Sequence, residues 1–319
     1  HGKIIDVDHQ RIITGGENFW GSDYLESNPV NDLNLEISGP VIQGADTYIN
    51  TIWNYLIQHQ HSQINSNICA SYHGGKLTDD CPSLTPINQA PHTTTYSYNN
   101  DSYPVKALFV SKLNNGVLKK AADASELARV IAFKNAKNNI KISQQALYFK
   151  LSPIGTKPLH PIPTPQGNTI TALATALSHN VQIDIVTSNL IGLGISYTSE
   201  VSSAYLENAI TTALEKVAPQ YANPAKAKTQ VEKYLTIKTI QYTKNDPQGN
   251  KTLSHDKLWI VDDKVFYIGS HNLYPSALQQ FGVIIEDDHQ AAVDQLESQL
   301  WDPLWKNSQA YVPTENNEN

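Results

Sequence analysis

One pattern occurs twice in this chain with identical spacing, and it restricts the fold more than any other feature. The second copy runs His255, Lys257, Asp262, Gly269, Ser270, Asn272. The first runs His1, Lys3, Asp8, Gly15, Gly16, Asn18. Both read H-x-K-x4-D-x6-G-(G/S)-x-N. Self-similarity of this kind signals two related structural units. In an extended strand, residues two apart share a face, so each His projects beside its Lys. Each copy is predicted to turn and return as a hairpin, which brings its Asn back toward the His.

The residue types suggest one chemistry. Two Lys ammoniums are point charges suited to phosphate oxygens. Two Asn side chains add neutral donors. Of two His side chains, a neutral one can attack phosphorus as nucleophile. A protonated one can give its proton to the leaving oxygen. Phosphodiester cleavage then needs no metal, because Lys and Asn stabilise the charge. The two motifs must meet across a pseudo-twofold axis for this to work.

The rest of the chain fits a mixed α/β protein. Strands are expected over 3–7, 11–14 and 33–38, then a helix over 41–59 with Ile49, Ile52, Trp53 and Leu56 at helical spacing. Residues 60–104 are rich in Ser, Thr, Asn, His and Pro and read as a long loop. A strand over 105–110 follows. A second cycle has helices over 121–138, 169–178, 203–217 and 225–235. Its strands are expected over 140–151, 181–187, 236–242, 257–261, 265–268 and 281–286, with a closing helix over 289–301. Such alternation argues for α/β sandwiches with mixed sheets. The division expected is 1–118 for the remainder of the first motif-bearing half and 119–319 for the second.

Charge narrows the partners. The 319 residues carry a formal net charge of -7 and only two arginines, Arg11 and Arg129, which disfavours nucleic acid held by bulk charge. No stretch reaches the roughly 18 to 20 apolar residues of a membrane span. Cys69 and Cys81 flank a polar segment, CASYHGGKLTDDC. They read as one disulfide closing that loop, which favours a secreted or periplasmic protein. Two free thiols are the alternative, and a zinc pair with His73 lacks a second half. His59, His61, His73 and His92 fall in the same region without compelling ligand spacing, so no metal or other cofactor is expected. Trp20, Trp53, Trp259, Trp301 and Trp305 are mostly core candidates, with Trp20 able to line a pocket mouth. His271, at the variable position of the second motif, is expected on the rim or facing substrate.

With these motifs in hand, the chain resembles the phospholipase D superfamily, in particular the two-motif bacterial secreted enzymes. The segments 20–25, 29–30, 38–40, 142–145 and 266–275 extend the likeness beyond the motifs. The second-motif region is also similar to that of the plague murine toxin. The resemblance implies two pseudo-twofold-related α/β sandwich halves. It implies hydrolysis of phosphatidylcholine-like glycerophospholipids to phosphatidate and free headgroup, with an alcohol able to replace water as acceptor. It places the nucleophile at His1 and the general acid at His255. Lys3, Lys257, Asn18, Asn272 and Ser270 would hold phosphate. Asp8 and Asp262 complete the catalytic signature, where family likeness points to a structural part. The phospholipid would be met at a membrane or micelle surface. A nuclease, a cardiolipin-type phosphatidyltransferase and a weakened lipid-binding toxin are the competing readings.

An acidic residue in each half is expected to orient that half's His. Asp32 matches this place in the first half. In the second the position holds Gln280, a neutral amide that cannot stabilise an imidazolium as a carboxylate does. The expectation is a weaker acid at His255, unless Glu286 supplies the charge or the amide suffices. A start at His1 and the absence of Met give a second expectation. The front of the first half would be a separate polypeptide or missing from the sequence.

Overall fold

The computed structural model describes residues 1–19, 24, 30–59, 71–73, 76–78, 105–113, 117–118, 122–145, 147, 165–188, 203–240, 253–273 and 278–310. Cys69, Cys81, Trp20, His61 and His92 lie outside them, as does the side chain of His73.

The first motif forms the hairpin β1 (Ile4–Val7) and β2 (Arg11–Gly15), joined by β3 (Asn34–Ser38) into an antiparallel sheet ordered β1-β2-β3. Helix α1 (Ile42–His59) follows the Gly39-Pro40 stop, where Gly39 takes φ +108°, a conformation open to glycine. Two short strands, β4 (Ser71–His73) and β5 (Lys76–Thr78), pair within the stretch expected to be loop.

The second sheet has nine strands. They are β6 (Lys106–Leu113), β7 (Ala122–Asp123), β8 (Asn139–Gln144), β9 (Gln182–Thr187), β10 (Leu235–Thr239), β11 (Lys257–Val261), β12 (Val265–Gly269), β13 (Gln280–Glu286) and β14 (Gln309–Ala310). Their order is β14-β10-β9-β8-β11-β12-β13-β6-β7. The β8, β9 and β10 pairings are parallel and the rest antiparallel, so the sheet is mixed. β6 pairs with β13 over seven residues, so this sheet takes in a strand that precedes the expected division at 118/119.

Four helices cover one face: α2 (Ala124–Asn135), α3 (Pro165–Ser178), α4 (Ser203–Val217) and α5 (Pro224–Tyr234). Their buried Phe133, Leu173, Leu177, Ile210 and Val231 share a core with Ile140, Ile183 and Trp259 of the strands. Local chemistry sets the ends. Asp123 caps α2 by accepting from Glu126 N–H at 2.8 Å, and Asn223 caps α5 ahead of Pro224. The closing segment is not one regular helix. It runs as α6 (Ala291–Leu296), a π turn over Glu297–Trp301, and α7 (Asp302–Asn307).

The other face carries the first motif. Leu33, Leu35 and Ile37 pack onto Leu258, Ile260, Phe266 and Ile268. Ile12, Ile42 and Tyr48 surround Phe281 of β13. This apolar seam presses the first hairpin against the second, and burial of that size is the main force holding the halves together.

Candidate active site

The two motifs repeat one another in structure as well as in sequence. Lys3 Nζ donates to the carbonyl of His1 at 2.8 Å, and Lys257 Nζ donates to that of His255. Each Lys thus curls back toward its own His. The turn residues match too. Asp8 and His9 have φ 53° and 53°, and Asp262 and Asp263 have φ 55° and 51°. Two consecutive left-handed residues make the tight turn that suits a twisted hairpin. At the return, Gly16 N–H donates to Leu33 O at 3.0 Å and Ser270 N–H to Phe281 O at 2.8 Å. Asp32 and Gln280 each precede those carbonyls, so they are structural counterparts.

The halves meet where these hairpins touch. A Cβ on Gly16 would collide with the Asp32 carboxylate and fall 3.0 Å from Lys257 Cδ. Only glycine lets the first motif approach the second motif's lysine this closely. The Asn31–Asp32 segment then crosses into the second half. Asn31 N–H donates to Leu253 O at 2.8 Å, and His255 N–H donates to Asn31 O at 2.7 Å.

This crossing overturns the expected pairing. Asp32 Oδ2 lies 2.7 Å from His255 Nδ1, so the first half's carboxylate serves the second half's histidine. The Asp32 side chain is covered, with 2% of it exposed, and its other oxygen accepts Leu33 N–H at 3.0 Å. Gln280 does not orient His255. It is fully buried, donates to Ser270 O at 3.2 Å, and its Oε1 has no partner. Glu286 cannot stand in for it. That carboxylate is at the far end of β13 and pairs with Lys264 at 3.1 Å and Lys106 at 3.3 Å. The expected weakness of His255 therefore does not follow from Gln280, because His255 already has a carboxylate.

Burial dominates the charges. Lys257 is 0% and Lys3 7% exposed. Desolvation pulls Lys257 down to about 7 and Lys3 to about 8, each partly held up by Asp32. Desolvation also lowers His255, opposed by its bond to Asp32. An incoming anion would restore the lysine charges. Sulfate, whose own charge stays fixed, is therefore expected to bind with uptake of protons and to weaken as the medium rises from about pH 6 to about pH 9. Calorimetry in buffers of differing ionisation enthalpy measures this. Lys257→Met should remove about one of the protons taken up, and a pH-independent affinity would contradict the assignment.

The other expected residues divide. Asn272 is buried, and neither of its amide atoms has a hydrogen-bond partner. Asn18 is half-buried, its N–H given to Tyr24 Oη at 2.9 Å, and Tyr24 Oη donates to Asp32 Oδ2 at 3.2 Å. Ser270 Oγ is occupied by the backbone of Phe281 in both directions, at 3.2 and 3.0 Å. Asp262 stands at the opposite end of β11 from Lys257. It accepts backbone N–H groups of Lys137, Asn138 and Asn139, which fixes the entry to β8. Asp8 is exposed at the matching turn. His271 is not on the rim. It is 2% exposed, its Nδ1 bonded to Tyr267 Oη.

Tyr24, Asn31 and Asp256 belong to the site's surroundings and were not singled out by the motif. Asp256 sits between His255 and Lys257, a position the motif leaves variable. Its charge beside two motif residues was the available signal. Among the described residues, Asp6, His9 and Asp46 bring possible metal-ligand atoms within 4.8 Å of one another. His9 Nδ1 lies 2.9 Å from a carboxylate oxygen of each, and an imidazole between two carboxylates is satisfied as an ion pair.

Fold and site together define a duplicated-motif protein, in which two related hairpins bring Lys3, Lys257 and an Asp32-bonded His255 into one buried cluster. Residues 130–305, more than half of the chain, match the family described as "Cardiolipin synthase, PLD-like domain", and the chain belongs to that family. It is similar to the phospholipase D of Streptomyces antibioticus, with 28% identity over 98% of this chain and 60% of that one. The chain thus spans less than two thirds of that relative's length. Among solved structures, phosphatidylserine synthase of Haemophilus influenzae aligns with TM-score 0.54 and 13% identity, over 96% of this chain and 61% of that one. That likeness supports the fold.

Proposed function

We propose that the protein is a phospholipase D-type phosphodiesterase. It would cleave glycerophospholipids such as phosphatidylcholine to phosphatidate and free headgroup. The observation that carries this is the convergence of Lys3, Lys257 and an Asp32-held His255 from two copies of one motif.

In this reading the lysines and Asn272 hold the phosphodiester. Asp32 accepts the Nδ1 proton of His255, which leaves Nε2 as the atom able to exchange a proton with substrate. His1 attacks phosphorus, and the bond to the headgroup oxygen breaks. His255, protonated, gives its Nε2 proton to that oxygen. Neutral His255 then takes a proton from water, which attacks phosphorus and releases His1. An alcohol in place of water gives transphosphatidylation. Burial favours neutral His255 in the free protein, so the phosphate's negative charge helps load its proton on binding.

Among the described residues no helix is long and apolar enough to cross a membrane. Action on phospholipid at a membrane or micelle surface is part of the proposal. The secreted or periplasmic setting, and the halves 1–118 and 119–319 with β6 lent to the second sheet, are part of the same proposal. Choline release from phosphatidylcholine vesicles, run beside plasmid nicking, tests it. Choline release without nicking is expected. Nicking without choline release would replace phospholipid by nucleic acid as substrate.

A further inference from the structure

We infer that Asp256 is a positioning residue, which fastens Asn31 to the second half and so sets Asp32 against His255. Asp256 is fully buried. Successive side chains of an extended segment alternate, so it faces away from His255 and Lys257 on either side. Its Oδ2 accepts Asn31 Nδ2 at 2.7 Å and Ser143 Oγ at 2.6 Å. Its Oδ1 is buried without a partner.

A carboxylate so placed is costly unless hydrogen-bonded. Burial pushes Asp256 up to about 7, opposed by Ser143 and Lys257. What the two bonds achieve is mechanical. Ser143 lies in β8, in register with Leu258 of β11, so one end of the arrangement is fixed to the sheet. Asn31 is the other end. It is held at three points: its N–H by Leu253, its carbonyl by His255 N–H, and its amide by Asp256. Asp32 is the next residue. The side-chain bond is the one of the three that can be removed without altering the backbone. Without it the Asn31–Ser254 bridge loses its lateral anchor. A supporting group loosened by about 1 Å is enough to spoil a catalytic hydrogen bond.

The kinetic part of this inference rests on the phosphodiesterase reading; the geometric part does not. The test therefore has two readouts on the full chain, choline release and the nitrogen-15 NMR titration of the His255 imidazole, identified by its loss in His255→Asn. Asp256→Ala is expected to lower kcat by on the order of tenfold to a hundredfold with KM little changed. The His255 titration should move down, as it would on losing Asp32. Asp256→Asn, which keeps an acceptor for Asn31, should retain more activity than Asp256→Ala. Combining Asp256→Ala with Asp32→Asn should cost no more than Asp32→Asn alone, because both act through one bond.

Multiplying losses, with the His255 titration at its wild-type position in Asp256→Ala, would overturn the inference. If Asp256→Ala does not fold, Asn31→Ala removes the same bond from its other end, and the same outcomes decide. If the wild-type chain releases no choline, the functional reading fails, and the NMR shift alone still confirms or rejects the positioning role.

Discussion

Asp32→Asn should lower kcat for headgroup release by on the order of 10³ to 10⁴, the range seen when the carboxylate behind a catalytic histidine becomes an amide. An Asn can present its NH₂ to His255 Nδ1, which stabilises the wrong tautomer. It also removes the hydrogen bond that opposes desolvation at His255. The sign of the pH effect follows. A general acid works protonated, so activity is lost as the medium rises through its pKa. Losing Asp32 lowers that pKa, and the limb moves to lower pH. Gln280→Glu should leave this limb in place, because Gln280 contacts Ser270 and not His255. A shift of the His255 limb in Gln280→Glu, with none in Asp32→Asn, would reverse the pairing.

Lys257→Met should cost on the order of 10² to 10³ in kcat, comparable to removing one preorganised donor from a developing negative charge. Met matches much of the length of Lys and suits a site that is 0% exposed, so the fold should survive. Burying a lysine whose pKa falls to about 7 destabilises the folded protein fully below about pH 7, and by less and less as the pH rises toward the ordinary lysine range. Between these limits the unfolded chain binds the extra proton, so wild-type stability should rise with pH across that window. Lys257→Met should flatten this rise. Thermal melts across the window measure it, and a rise of equal slope in both proteins would place the ammonium in water.

The hairpins were legible because alternation and spacing are local. The strand over 257–261 and its partner near 265–269 follow from period-two patterning, as does the helix after Gly39-Pro40. What escaped was relational. The Asp32–His255 bond spans 223 residues. The motifs read the same whether Asp32 serves the histidine of its own half or that of the other. Only the docking of the Asn31 backbone on Leu253 and His255 decides. β6 joined the second sheet for a similar reason, since its partner β13 lies far along the chain. The variable motif position of His271 points to the rim or to substrate, yet Tyr267 offers it a buried acceptor-donor partner. The closing helix broke at a π turn that no composition signal marked.

Phosphatidylcholine hydrolysis by His255→Asn, quenched and analysed by peptide mass spectrometry, tests the two-histidine site most directly. Without its acid and base, the variant should break down any covalent intermediate slowly. A phosphatidyl adduct on the peptide carrying His1 is expected, absent from His1→Asn. An adduct on His255 in His1→Asn, or undiminished headgroup release by His255→Asn with no adduct at all, would contradict it.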